Sequence, residues 1–79
     1  MPNIKKILQK AQIMIGEKKL IEANSYLDNV LLQEPNNAYA YNLKGIILGI
    51  DNKHKEAINF FKKSLNENPS DPLVIYNLA

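Results

Sequence analysis

The sequence predicts an all-α fold built from antiparallel helical hairpins. Three observations carry that prediction: a single internal repeat interval, apolar residues at helical spacing, and prolines that close each unit. Pro35 and Pro69 stand one interval apart, and the same interval separates Ala23 from Ala57, Leu27 from Phe61, Ala11 from Gly45, and Ile7 from Tyr41.

The first helix is expected over 4–15. Ile4, Ile7, Leu8, Ala11, Met14 and Ile15 follow the i, i+3, i+4, i+7 spacing of one buried face. Gly16-Glu17-Lys18 breaks it. A second helix over 19–33 places Leu20, Ala23, Leu27, Val30 and Leu31 together. Pro35 stops it, because proline has no backbone N–H to donate and disfavours helix in the residue before it. The third helix, over 37–50, is capped by Asn36 or Asn37 and carries Tyr41, Gly45 and Leu48. The fourth, over 54–67, carries Ala57, Phe61, Ser64 and Leu65, and Pro69 repeats the stop. Asp71-Pro72 then opens a partial fifth helix, a capping carboxylate followed by proline at the first helical position. No strand alternation, low-complexity segment or Ser/Gly-rich linker competes with this reading.

Composition bounds the function. At 79 residues the chain holds one domain, and a core of this size supplies roughly 3–5 kcal/mol of net stability. A net charge of +2 is too balanced to point to nucleic acid or an anionic membrane. Every basic residue is Lys, which disfavours bidentate capture of phosphate or carboxylate. The absence of Cys removes disulfides, thiolate metal sites and a cysteine nucleophile. Met-Pro-Asn-Ile-Lys-Lys is expected not to be a signal peptide, and no stretch approaches the ~20 apolar residues that span a bilayer. The reading leans to the cytoplasm, with no membrane partner.

Catalytic and metal chemistry find no constellation. His54 is the only histidine, stands where Leu20 stands one period earlier, and is read as a packing residue at a helix start. Ser25, Ser64 and Ser70 lack triad partners. Gly16, Gly45 and Gly49 match no phosphate loop. Lys5, Lys6, Lys10, Lys18 and Lys19, and the pair Lys62-Lys63, read as solvated faces beside Glu17, Glu22 and Glu67 rather than the continuous stripe that nucleic acid requires. The chain is therefore expected not to be an enzyme and to use no cofactor.

The periodic residues resemble the tetratricopeptide repeat, a helix–turn–helix unit with the pattern W-x2-L-G-x2-Y…A-x3-F…P and the same repeat interval. Residues 38–71 match best, through Tyr41, Gly45, Leu48, Ala57, Phe61, Ser64 and Pro69. Residues 4–37 match through Ile7, Ala11, Met14, Ala23, Leu27, Val30 and Pro35. Residues 72–79 resemble the opening of a third unit, with Ile75-Tyr76-Asn77-Leu78-Ala79. The small residues Ala11, Ala23, Gly45 and Ala57 let paired helices approach closely. Two departures stand out. Lys44 sits where the family has leucine, with Leu43 beside it as the substitute. Asn52 replaces an inter-helix glycine, and asparagine tolerates the left-handed conformation that such a turn can require.

The resemblance implies an α-α superhelix of two repeats plus a partial fifth helix. It also implies a concave groove, lined by the first helix of each repeat, that binds a peptide or helix of a partner protein. Carried over by position, the groove residues are Leu8 and Gln12, with Lys5, Ile15 and Gly16, in the first repeat. They are Tyr39, Asn42, Ile46 and Gly49, with Ile50, in the second, and Leu73 and Tyr76 in the third. Asn42 has the donor and acceptor to bind a peptide backbone, so Asn42→Ala is expected to weaken binding without unfolding. The positions that clamp chaperone tails in one subgroup hold Leu8, Gln12 and Leu43, so that ligand is not implied. The alternative is a self-associating scaffold, joined through an uncapped C-terminal helix or through the groove.

Overall fold

A computed structural model describes residues 3–68. Four helices form among the described residues: α1 (Ile4–Gly16), α2 (Leu20–Gln33), α3 (Ala38–Ile50) and α4 (His54–Glu67). No strand occurs among the described residues. The expected fifth helix, with Pro69, Leu73 and Tyr76, lies outside them.

Short turns connect α1 to α2, and α3 to α4, and fold each pair into a hairpin. The two turns are built alike, one period apart. Lys18 and Asn52 take left-handed backbone, at φ 61° and 62°. The N–H of Lys19 donates to Met14 O at 2.9 Å, and that of Lys53 to Leu48 O at 2.8 Å. The N–H of Lys18 donates to Ile15 O and that of Asn52 to Gly49 O. These paired bonds satisfy the last carbonyls of α1 and α3 in the Schellman arrangement. The entries to α1 and α3 also correspond. Asn3 Oδ1 accepts from Lys6 N at 3.1 Å, and Asn37 Oδ1 from Ala40 N at 2.8 Å. Asn37, not Asn36, is therefore the cap of α3.

Gly16, expected to belong to the break, is helical, and the left-handed position falls on Lys18 instead. A Cβ at positive φ crowds the following carbonyl, at a cost of about 1–2 kcal/mol. Gly16→Ala changes nothing at that position, but Lys18→Gly removes the crowding. Lys18→Gly is expected to raise stability by up to about 1 kcal/mol, and hence the thermal midpoint by roughly 4–8 °C. An unchanged or lowered midpoint would contradict the strain assigned to Lys18. Asn52→Gly should gain less, because asparagine accepts this conformation more readily.

Ala11, Ile15, Ala23, Leu27, Val30, Ala40, Leu43 and Ile47 form one buried core drawn from α1, α2 and α3. Ala57 and Phe61 form a second beneath α4, and half-buried Ile46 packs against both. α3 is thus the central element, in contact with α1, α2 and α4. Its sequence, AYAYNLKGIILGI, carries a single charge and is apolar nearly all round, as a helix flanked on several sides requires.

Leu43 is buried, as expected of the residue that replaces the missing leucine, and Lys44 turns instead toward α2. The Ser64 hydroxyl, fully buried, donates to Ala38 O at 2.7 Å and ties α4 to the start of α3. His54 departs from expectation. Leu20 packs against the first core, but His54 is exposed at the start of α4.

Candidate interaction surfaces

Two surfaces emerge. The first joins α1 to α3. The Tyr39 hydroxyl donates to Gln12 Oε1 at 3.1 Å, so two residues that the resemblance assigns to a groove touch each other. Gln12 and Tyr39 are exposed, and Leu8, Ile46 and Gly49 are half-buried beside them. Lys5, Gly16 and Ile50 are exposed, and Ile15 belongs to the core.

Asn42 does not share this exposure. At 1% exposure it is buried, so its amide is not presented to a ligand. Asn42→Ala accordingly acts on the fold. Leu73 and Tyr76, also assigned to this groove, lie outside the described residues.

The second surface leaves no periodic signal in the sequence. An open cleft of about 910 Å³ runs between the start of α2 and the helices α3 and α4. Ile47, Leu48 and Phe60 supply apolar lining, and Ile21, 87% exposed, stands on its rim. The charged lining residues mix signs: Lys18, Lys19, Lys44 and Lys53 against Glu22, Asp51 and Glu56. Lys19 pairs with Glu17 at 3.6 Å and Lys53 with Asp51 at 3.5 Å, another correspondence between the two turns.

Lys44 is the best-held polar residue of this surface. Its side chain is 13% exposed, reaches across to α2, donates to Asn24 Oδ1 at 3.0 Å and pairs with Asp28. Its ammonium also lies 5.9 Å from the Phe60 ring centroid. The Tyr41 and Phe60 rings sit tilted at 6.2 Å, with the Lys63 ammonium 5.7 and 5.0 Å from their centroids. The Tyr41 hydroxyl donates to Pro35 O at 2.6 Å, fixing the link between the hairpins. The apolar residues around Lys44 hide this cluster from sequence reasoning, which treats the lysine as a substitution to be tolerated.

Among the described residues, no group of His, Asp and Glu side chains is placed to hold a metal ion. None of the described helices is long and apolar enough to cross a membrane.

No family model matches the chain, and no solved structure does. The chain is similar to an uncharacterized protein, y4yS, of Sinorhizobium fredii (strain NBRC 101917 / NGR234), at 32% identity over 76 residues. That match covers 96% of this chain and 42% of the relative, so the chain spans less than half the length of the curated protein it resembles.

Proposed function

We propose that the chain is a non-enzymatic protein-interaction module of tetratricopeptide-like hairpins, which binds a peptide or helix of a partner protein across the α1–α3 face. One observation carries the reading: exposed Tyr39 and Gln12 meet by a hydrogen bond at a surface where Leu8 and Ile46 remain half-buried. An amphipathic aromatic beside an amide and aliphatics is the composition of a contact patch. The correspondence of turns and caps between the two hairpins supports the repeat reading. The contacts fall to Tyr39, Gln12, Leu8, Ile46 and Gly49, without Asn42.

The test is a peptide-library selection on the intact chain, followed by Tyr39→Ala and Gln12→Ala. Both side chains are exposed, so the far-UV spectrum and thermal midpoint should hold. Affinity for selected peptides should fall tenfold or more for Tyr39→Ala. Selected peptides that bind both variants as well as the parent chain would refute the assignment.

A second reading is self-association as a scaffold element. Ile21 and Leu32 favour it, 87% and 84% exposed and three helical turns apart on one side of α2. A molar mass that rises with concentration, and reverts in Ile21→Ser/Leu32→Ser, is its expected signature.

A further inference from the structure

Lys6, Gln9, Lys10 and Ile13 line the outer side of α1, and all four are exposed, Ile13 at 60%. The positions one period later are Ala40, Leu43, Lys44 and Ile47 of α3. Those are covered. Ala40, Leu43 and Ile47 lie in the core shared with α1 and α2, and Lys44 grips Asn24 and Asp28 of α2. The molecule therefore displays once, within itself, what seats on this side of a hairpin: a helix with an aliphatic seam flanked by an amide and, one turn on, a carboxylate.

We propose that the outer face of α1 docks a helix of that chemistry from a partner protein, with Lys10 taking its carboxylate and Ile13 its seam. This surface is separate from the Tyr39–Gln12 patch, so either assignment can fail without the other.

Charge supports the choice of occupant. α1 holds Lys5, Lys6 and Lys10 and no acidic residue. Two of these lysines lie in its first turn, where the helix dipole favours the opposite sign. No carboxylate of the described residues pairs with any of the three. An acidic helix supplies the missing charge. Lys6 and Gln9, in place of Ala40 and Leu43, keep the face hydrated when empty, which suits a contact that forms and releases.

A second copy of the chain fits poorly. Its α2 already gives Asn24 and Asp28 to its own Lys44. On its α4 the corresponding positions are Ile58 and Lys62, and Lys62 would meet Lys10 with like charge. The occupant is therefore not a second copy of α2 or α4.

The probe is a peptide of residues 20–33, bridged covalently between its positions 29 and 33. These two side chains already hydrogen-bond at 2.7 Å, on a side of the helix that does not carry Asn24 and Asp28. Circular dichroism first establishes that the peptide is helical, and amide shifts of the intact labelled chain are then followed on titration. Shifts should concentrate at Lys6, Lys10 and Ile13. Lys10→Glu should weaken binding at least tenfold, and the peptide carrying D28K should recover it against that variant. The proposal is overturned by a helical peptide that does not bind at millimolar concentration, by shifts centred on Tyr39 or Phe60, or by affinity indifferent to charge reversal. It is equally overturned if the chain alone self-associates with the same shifts, which would assign the face to a second copy.

Discussion

Leu27→Ala is expected to lower stability by about 2–5 kcal/mol, enough to leave much of the chain unfolded at room temperature. Leu27 is fully buried at the centre of the first core, where α1, α2 and α3 meet. Truncation removes its transfer energy and opens a void that the rigid neighbours only partly refill. A chain of 79 residues has roughly 3–5 kcal/mol to lose. Urea denaturation followed by circular dichroism measures the effect. A midpoint within error of the parent would mean that the first core does not hold the fold together as described. Leu32→Ala is the matched control: the same chemistry on α2, at 84% exposure, should change stability by no more than a few tenths of a kcal/mol.

The second large effect is expected at Gly45. Alanine is the better helix former by about 1 kcal/mol, so helix propensity alone predicts a gain for Gly45→Ala. Packing predicts the reverse. A Cβ at Gly45 would lie 2.5 Å from Phe61 Cε1 and 2.7 Å from Cδ1. The ring is 6% exposed, planar and enclosed, so it cannot bend away as an aliphatic end can. Overpacking of this kind costs about 1–3 kcal/mol, and the net change should be a loss. One period earlier the same two positions hold Ala11 and Leu27, both fully buried. The pairs are alternative solutions, small with large-planar and slightly larger with branched. Gly45→Ala/Phe61→Leu should therefore recover much of what Gly45→Ala loses, a coupling that a double-mutant cycle isolates. If the two changes simply add, the clash is not between these residues.

The helices are legible in the sequence because local signals agree. Apolar spacing, asparagine caps and Pro35 all point to the same boundaries, and the observed helices begin and end within a residue of them. The all-α class follows from that agreement. Surfaces are less legible, for a reason visible in α3. Position within a unit does not tell which faces of a helix are covered, so Asn42 is assigned to an open groove although it is buried. His54 shows the converse, a position inferred to be packed that is exposed. Lys44 fails differently. Read alone it is an intruder in an apolar pattern. Its meaning requires Asn24 and Asp28, 20 and 16 residues away, and no local pattern connects them. Tyr39 and Gln12, both assigned to the groove by position alone, touch through a hydrogen bond across 27 residues that no local pattern foretells.

The contrast between Gly45–Phe61 and Ala11–Leu27 also constrains the order in which such a hairpin can diverge. A sequence moving from the alanine–leucine pairing to the glycine–phenylalanine pairing must change one member first. Changing leucine first places the ring against a methyl group, the clash expected of Gly45→Ala. Changing alanine first leaves leucine facing a slightly enlarged space and costs about 1 kcal/mol of helix propensity. The second route is shallower, and the larger residue then enters a space already cleared for it. Single substitutions at these positions are thus passable in one sequence and nearly closed in the other, although both end at the same packed hairpin.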